Sequence, residues 1–365
     1  MDRITNIQLF TLIVIFEVGS TTLFAIGIGA RQDAWIVIVV AYLLSLALIW
    51  CYTQFPKMYP QKDFAFILDD LFGKMLARPL LFLFGLYFLH QALHNFYEFG
   101  SLIKMTALPF TPLAVILYIF VFVIMYILML GMEVLVRSIE IVFLYFIIFL
   151  ILIFVLNFVA EEFDLINLLP ILDKGFGSIL KEVPSVLGFP FGEVVVVLVF
   201  WHFVQQQKSI RKTTYIAVTF STLILITSVI VMISVLGPDL ATHMEIPLLE
   251  TLLSIHIGMI FTNLDSMGVF IMFVGGFYKT AIHFFAFSIV MTWMVGKRKP
   301  NWVIAIFGLL LPILALFQFE SLEHQRWKGG MEAGVYNIVV YSLIPVFLLI
   351  LAFVKKWNER KGKKK

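Results

Sequence analysis

The chain has 365 residues, of which 61% are hydrophobic and only 13% are charged, and its formal net charge is +3. Soluble globular domains carry about 25% charged residues, so this composition excludes a soluble protein and indicates one embedded in a lipid bilayer. The one cysteine, Cys51, excludes an internal disulfide, and no nucleic-acid partner is expected.

Ten apolar runs are long enough, or nearly long enough, to cross the hydrocarbon layer, which takes about 20 residues in a helix. In chain order they are Ile7–Gly29, Ala34–Phe55, Leu80–Ala107, Phe110–Leu130, Val134–Val159, Val186–Val204, Tyr215–Leu236, Leu264–Val295, Trp302–Phe319 and Val335–Val354. The first run follows no long basic segment and no cleavage site, which favours a membrane helix over a cleaved signal peptide. We therefore predict an all-α integral membrane protein with ten transmembrane helices, in a single polytopic domain that covers residues 1–365.

Lysine and arginine distinguish the two sides of the membrane. The cations occur at Arg3, in the loop 57–78, at Arg137, at 208–212, at 297–299 and in the basic tail 355–365. Ten crossings place all of them on one side, whereas the other side carries few cations and the acidic segment 161–164. By the positive-inside rule, both termini are cytoplasmic. The tail is interpreted as an anchor to anionic lipid, and the alternative is a docking site for a partner.

The loop before the third run contains apolar residues at helical spacing. They are Phe64, Ile67, Leu68, Leu71, Phe72 and Met75. A single apolar stripe of this kind predicts a helix that lies in the membrane interface.

The first and sixth runs contain residues that are poorly suited to a helix facing lipid. Proline removes a backbone donor and glycine loosens a helix, and freed backbone groups survive in a membrane only against protein or a water-filled cavity. Two broken helices in matching halves mark the binding site of a transporter-like fold. Since five is odd, the halves have opposite orientation, and the prediction is a five-plus-five inverted repeat over about 7–159 and 178–354. The candidate ligand-binding residues at the breaks are Gly19, Ser20, Thr21 and Thr22 in the first run and Phe189, Phe191, Gly192 and Glu193 in the sixth.

The charges near the breaks suggest what could bind there. The N-terminal ends of the half-helices offer free N–H groups and a positive dipole, which suit an anionic group such as a ligand carboxylate. Glu193 would receive a ligand ammonium or bond the backbone N–H groups of the break, and both roles stay open. Lys279 needs a partner because a lone ammonium in the bilayer is costly. It is a candidate ligand residue, or it forms a structural pair with Glu17 or Glu193.

The third run carries a polar stripe formed by His90, His94 and Glu98. Two histidines at positions i and i+4 could hold a metal, but the sequence assigns no third ligand, so neither a metal nor another cofactor is predicted. His94 and Glu98 are candidate ligand contacts, since polar side chains at this depth turn towards the bundle interior. The alternative is that the stripe forms hydrogen bonds between helices.

Glu133 and Arg137 are four residues apart at the start of the fifth run. This spacing allows an ion pair on one helix face, at the predicted cytoplasmic mouth. We predict that the pair contributes to gating by closing the inner side of the cavity. The alternative is a surface cation that only anchors the topology.

Five short motifs occur in order along the chain. They are Phe55-Pro56, Leu108-Pro109-Phe110-Thr111-Pro112, Gly131-Met132-Glu133 with Arg137, Leu168-Leu169-Pro170 and Phe189-Pro190-Phe191-Gly192-Glu193. With these motifs, the chain from about Ile4 to Val354 resembles the membrane-embedded B subunit of GerA-type spore germination receptors. That family is related to amino acid/polyamine transporters with the LeuT-like fold.

The resemblance implies a LeuT-like fold and a sensor in the inner membrane of a dormant bacterial spore. It also implies assembly with an A subunit and a lipoprotein C subunit, and a small nutrient ligand such as an amino acid or a sugar. Some relatives of this fold use a buried cation in place of a bound sodium ion, and Lys279 is a candidate for that role by analogy.

No enzyme motif is visible, since the sequence lacks a P-loop, a Rossmann glycine pattern, an HExxH motif and a nucleophile elbow. The favoured prediction is a nutrient-binding receptor subunit. An active secondary transporter of amino acids or other small solutes stays open because fold does not determine function. A scaffold with a vestigial cavity is the third alternative.

The topology can be tested with single cysteines placed at Asp173 and at Arg298. Because the lysine and arginine bias puts these positions on opposite sides, a membrane-impermeant thiol reagent applied from one side should label only one of them. Labelling of both from the same side would contradict the predicted topology.

Overall fold

The computed structural model describes residues 3–254, 265–297, 299–334 and 336–362. Within these ranges the secondary structure is helical apart from one backbone bridge between Ile4 and Val204. Ten segments are long and apolar enough to cross a membrane, as predicted. Spans 1 to 10 are Asn6–Leu23, Ile28–Met58, Phe64–Thr106, Leu113–Leu130, Met132–Val159, Phe176–Val199, Gln207–His243, Ser266–Met294, Asn301–Gln318 and Val339–Glu359. Leu264 and Val335, where two predicted runs begin, and the last three residues of the tail lie outside the described residues.

Spans 1, 6 and 8 form the centre of the bundle. The buried share of residues in the apolar stretch differs between the spans. It is 83% in spans 1 and 8 and 72% in span 6, but only 33% in each of spans 3, 5, 9 and 10. The outer spans therefore present most of that stretch to lipid, and they shield the polar groups that the central spans carry.

Span 1 is interrupted after its first half. The helix Asn6–Val18 begins at a capping box, in which the Thr5 hydroxyl accepts from the backbone N–H of Gln8 while the Gln8 side chain accepts from the backbone N–H of Thr5. The chain then continues as the 3₁₀ turn Thr21–Leu23 and becomes extended at Phe24. The 3₁₀ segment Ile28–Asp33 leads into the helix Ala34–Tyr52 of span 2. The regular helix thus ends at Val18, well before the predicted limit at Gly29.

Span 6 is interrupted at the predicted place. The helix Phe176–Gly188 ends where Phe189 adopts an extended backbone, with φ −130° and ψ 116°. After Pro190, the chain forms 3₁₀ helices over Phe191–Val199 and Trp201–Phe203. Because 3₁₀ runs longer than about four residues are uncommon, the nine-residue segment is unusual. The span begins at Phe176 rather than at the predicted Val186.

The predicted interfacial helix forms, and a kink with non-helical backbone separates it from the helix of span 3. The helix Phe64–Thr106 contains one kink, at Gly73, whose φ of 72° lies in the left-handed region that glycine adopts readily. Phe64, Ile67 and Leu68 of its apolar stripe are buried in the protein core, whereas Met75 is 88% exposed. Most of the stripe therefore packs against the protein rather than lying in lipid.

The described ends of the chain, near Ile4 and near Lys355, lie on the same face of the bundle. At the N-terminus, Ile4 donates to the Phe203 carbonyl and accepts from Gln205, which joins it to the loop after span 6. Near the C-terminus, the Lys355 ammonium lies 2.8 Å from the Asp70 carboxylate. We call this side the terminal face and the opposite side the outer face. The described parts of the loops that follow odd-numbered spans lie on the outer face.

Candidate ligand site at the two broken helices

Lys279, in the centre of the bundle, pairs with Glu193. Its ammonium nitrogen lies 2.5 Å from Oε2 of Glu193, and the two side chains are 0% and 4% exposed. The structure therefore selects Glu193 over Glu17 as the partner of Lys279. Burying each ion costs several kcal/mol, and mutual attraction offsets that cost only at close range. While this pair is intact, Glu193 is committed to Lys279.

Glu17 contributes a second carboxyl group to the same region. It is fully buried, and neither of its carboxyl oxygens has a hydrogen-bond partner among the described residues. The hydroxyl groups of Ser20, Thr21 and Thr280 are also buried and unpartnered within that part of the chain. Lys279 interacts electrostatically with both carboxyl groups. Glu193 thus holds the ammonium, while Glu17 keeps unused acceptor capacity for a proton or a cationic group.

Aromatic rings surround the Lys279 ammonium. It lies 4.0 Å from the centroid of the Phe189 ring and 5.3 Å from that of Phe16. A cation within about 6 Å of a ring face is attracted by the ring quadrupole. Phe189 occupies the extended position in the break of span 6, so the break itself supplies one of the groups that hold Lys279.

Two glycines bring the break of span 1 against span 8. A Cβ placed on Gly19 would lie 2.6 Å from the Cα of Gly275, and one placed on Gly275 would overlap the Gly19 carbonyl. Neither position accepts a side chain without movement of the backbone. Gly275 is one helical turn before Lys279, so this contact places the broken backbone beside the buried charges.

An outer pocket of about 280 Å³ opens beside both breaks. It is lined by residues of the span 1 break, span 3, the span 6 break, the end of span 7 and the segment between spans 9 and 10. These residues are Phe24, Ala25, Ile28, Glu98, Phe189, Ala241, Thr242, Met244, Glu245, Pro247 and Arg326. Because the pocket includes loops that follow spans 1, 7 and 9, it lies on the outer face.

Opposite charges meet in the outer pocket. The Arg326 guanidinium lies 3.6 Å from the Glu98 carboxylate and contacts the Glu245 carboxylate, and it also donates to the Glu245 carbonyl at 3.1 Å. The Arg326 and Glu98 side chains are 28% and 13% exposed, so this cluster is partly desolvated. Two carboxylates here share one guanidinium.

The polar stripe of span 3 makes contacts between helices. His90 contacts the Gln318 amide at 2.8 Å, and His94 contacts the Gln325 amide at 2.6 Å. The His94 imidazole also packs against Gly329. Of the stripe, only Glu98 lines the outer pocket. His90 and His94 are therefore placed as the interhelical alternative describes.

Phe191 and Gly192 do not line the outer pocket. Phe191 is buried, with its ring 6.3 Å from that of Tyr42 in span 2. A Cβ on Gly192 would lie 2.5 Å from the Tyr341 ring. Tyr341 belongs to a π-helical segment, Val339–Leu343, and its hydroxyl accepts from the Gln91 amide at 2.6 Å. The break in span 6 is thus packed against span 10.

Thr22 and the Glu133–Arg137 pair have plain local contacts. The Thr22 hydroxyl donates to the Val18 carbonyl at 3.1 Å. It therefore gives a partner to a carbonyl at the end of the first half-helix. The Arg137 guanidinium lies 2.6 Å from the Glu133 carboxylate, with the side chains 66% and 44% exposed. The i, i+4 pair forms as the spacing indicates, and its role in gating stays a prediction.

Three residues that make these contacts were not predicted from the sequence: Arg326, Glu245 and Tyr341. Arg326 and Glu245 lie in segments between spans, where a charged residue gives no signal of its own. Tyr341 lies in an apolar run and resembles a lipid-facing aromatic residue in sequence. The one available signal was the concentration of charge over 320–328, which is unusual on the outer face of a positive-inside protein.

Comparison with known proteins gives consistent results. A family model described as "Spore germination protein" matches residues 3–322. The chain is 30% identical to Spore germination protein KB of Bacillus subtilis (strain 168), over 99% of this chain and 97% of that protein. It is 24% identical to Spore germination protein YndE of the same organism, over 90% and 88%.

Two solved structures share the fold. A crystal structure of MhsT in complex with L-phenylalanine matches with a TM-score of 0.63 and 12% identity, over 94% of this chain and 87% of that one. A mutant of the Eremococcus coleocola manganese transporter matches with a TM-score of 0.53 and 12% identity, over 94% and 76%. The ten spans, with breaks in the first and sixth, define an all-α membrane protein of the LeuT-like five-plus-five class. Within that class, the chain belongs to the spore germination protein family.

The buried ion pair can be tested by removing one partner. Lys279→Met should lower the free energy of unfolding by about 3–5 kcal/mol, because Glu193 stays buried without its cation. Adding Glu193→Gln should recover part of that loss, since it removes the uncompensated charge. Denaturant unfolding of the purified protein in detergent measures both, with Lys104→Met at an exposed position as the control. A double variant no more stable than Lys279→Met would contradict the pairing.

The contact between Gly192 and Tyr341 is tested by a second pair of variants. Gly192→Leu should destabilise the protein, by about 1–3 kcal/mol, because the new side chain overpacks against the tyrosine ring. Tyr341→Ala should relieve that clash, so the double variant should lose less stability than the sum of the two single changes. Additive losses would show that the leucine is accommodated elsewhere.

Proposed function

We propose that the chain is the membrane subunit of a spore germinant receptor and that its outer pocket binds a small zwitterionic nutrient, an amino acid. The observation that supports this most is the meeting of both helix breaks with Glu98, Glu245 and Arg326 in a pocket of about 280 Å³. A volume at the lower end of the range for ligand pockets suits a small solute.

The charges of the pocket complement an amino acid. Arg326 would form a bidentate pair with the ligand carboxylate, which suits its planar guanidinium. The glutamate that the ligand displaces from Arg326 would then accept the ligand ammonium. Binding in this way replaces an ion pair within the protein by ion pairs between the protein and the ligand. No desolvated charge is left unpaired, so the site avoids the cost of burying a lone charge. Phe24 and Phe189 provide apolar walls for the ligand side chain.

Phe189 would link the pocket to the interior. The same ring lines the outer pocket and contacts the Lys279 ammonium. A ligand that moves this ring changes the surroundings of Lys279, Glu193 and Glu17. A receptor needs such a coupling, because a ligand shifts a conformational equilibrium only through contacts that differ between the two states.

The proposed setting is the inner membrane of the spore, with both termini cytoplasmic. In that orientation the outer pocket faces the side from which nutrients arrive, and the lysine and arginine bias of the sequence supports it. The partners would be the A subunit and the lipoprotein C subunit of the receptor, as the family membership suggests. Triggering of germination would follow from the conformational change of this assembly.

The alternative is an active secondary transporter of amino acids or other small solutes. The similarity to solved structures such as MhsT in complex with L-phenylalanine favours it. The unused acceptor capacity around Glu17 also favours it, because a proton or cation bound there could be coupled to solute movement. Uptake of labelled amino acids into proteoliposomes separates the two, since a receptor binds them without net uptake.

The pocket is tested by ligand-dependent thermal shift of the purified protein, with single amino acids and with glucose. Arg326→Gln should weaken amino-acid binding by at least about tenfold, because a hydrogen bond to a charged group contributes about 1.5–3 kcal/mol. Glu98→Gln should act in the same direction through the ligand ammonium. The matched control is Glu323→Gln, an exposed change on the same helix as Arg326.

Spores that carry each variant extend the test to function. The dose–response curves for amino acids should shift to higher concentration for Arg326→Gln and Glu98→Gln but not for Glu323→Gln, at equal subunit levels by immunoblot. Unchanged sensitivity in the first two variants would exclude the outer pocket as the nutrient site. A response to glucose alone, with no amino-acid binding, would contradict the proposed ligand class.

A further inference from the structure

A second and larger cavity lies on the terminal face. It has a volume of about 950 Å³ and lies between the end of span 2 and the loop that joins spans 6 and 7. Three cations line it, namely Lys57, Lys208 and Arg211, and no aspartate or glutamate is among the residues described as lining it. The cavity is therefore a concave region of one charge sign, and such a region concentrates anions.

The wall formed by the loop between spans 6 and 7 is held in place by the N-terminal segment. The Asn6 side chain bonds both Gln206 and Ser209, at 2.9 and 2.6 Å. The Gln207 amide donates to the carbonyls of Trp201 and Val204, both at 2.8 Å. Because these hydrogen bonds already order the loop, a ligand does not have to order it on binding. The entropic cost of binding is therefore lower.

Arg211 lines this cavity, and a hydrogen bond fixes one edge of its guanidinium. Its Nε donates to the Thr53 hydroxyl at 2.9 Å, and the hydroxyl in turn donates to the Ile49 carbonyl. This contact orients the guanidinium, while Nη2 is buried and has no hydrogen-bond partner among the described residues. A buried donor left unpaired costs about 1–3 kcal/mol, so a small rotation of the guanidinium that brings Nη2 to an acceptor in the cavity would remove that cost.

The general excess of cations on the terminal face does not by itself explain these features. A topology anchor needs only charge near the headgroups, whereas this cavity adds depth, an oriented guanidinium and apolar walls from Pro56 and Pro60. An oriented arginine flanked by lysines is the donor set that binds phosphate groups. Basic pockets between helices on this side of a membrane bind anionic headgroups.

We propose that this cavity binds a phosphate-bearing anion, with the phosphate on Arg211 and flanked by Lys57 and Lys208. Pro56 and Pro60 provide apolar walls for an organic group that the phosphate carries. Two sources share this chemistry: the headgroup of an anionic phospholipid and a soluble organic phosphate. The site is separate from the outer pocket and does not depend on the identity of the nutrient.

The experiment measures binding to the purified full-length chain in detergent by native mass spectrometry and thermal shift. The probes are dihexanoyl phosphatidylglycerol for the lipid source, glycerol 3-phosphate for the soluble source and zwitterionic dihexanoyl phosphatidylcholine for comparison. Each lost cation should weaken binding about fivefold, the factor that corresponds to one cation near an anionic membrane surface. The double variant Lys57→Gln and Lys208→Gln should therefore bind about 25-fold more weakly.

Two further variants distinguish a built site from general surface charge. Lys212→Gln removes an exposed cation that neighbours Arg211 but does not line the cavity, and it should leave binding unchanged. Arg211→Lys keeps the positive charge but removes the planar guanidinium, which can donate two parallel hydrogen bonds to a phosphate. This variant should therefore bind more weakly. Binding of phosphatidylglycerol alone identifies a headgroup as the source, and binding of glycerol 3-phosphate identifies a soluble phosphate. The proposal is overturned if neither probe binds, if phosphatidylcholine binds equally well, or if Lys212→Gln weakens binding as much as the double variant.

Discussion

The contact between Lys279 and Glu193 constrains the centre of the molecule. An unpaired charge at this depth would cost several kcal/mol, so the two side chains must meet within a helix bundle that excludes water. Glu193 reaches span 8 because span 6 breaks at Phe189 and continues as a 3₁₀ helix. Span 8 in turn reaches the break of span 1 through the contact of Gly19 with Gly275. One ion pair and one glycine contact therefore tie both broken helices to the same neighbour.

The inner and outer charge clusters have the same charge composition at different depths in the bundle. Each has two carboxyl groups and one cation among its members, Glu17 and Glu193 with Lys279 inside, and Glu98 and Glu245 with Arg326 outside. In both places the carboxyl groups outnumber the cations among these members. Phe189 lines the outer pocket and lies against the Lys279 ammonium, and in the proposed receptor this ring couples a ligand to the inner pair. This link is what the proposed receptor function requires.

The fold was largely predictable because the bilayer restricts what a chain can do. Apolar runs of spanning length must be helices, and residues such as Pro190 and Gly192 must interrupt them, since lipid satisfies no backbone hydrogen bond. The ends of the helices were less predictable, as Phe176 and Val18 show, because apolar residues continue past a helix end without changing the hydropathy pattern. The site was predictable only in part. Phe189 and Glu98 line the outer pocket, whereas Gly192 and His94 serve packing and interhelical contacts.

The sequence by itself determined the membrane class, the ten spans, the two breaks and the need of Lys279 for an acidic partner. These follow from local composition and from the cost of polar groups in lipid, which depend on no distant residue. Only the tertiary structure decided that the partner is Glu193, that Arg326 joins Glu98 and Glu245, and that Arg211 lines one cavity with Lys57 and Lys208. Each of these contacts joins residues far apart in the chain, and their spacing in sequence carries no information about which side chains the packing of the helices brings together.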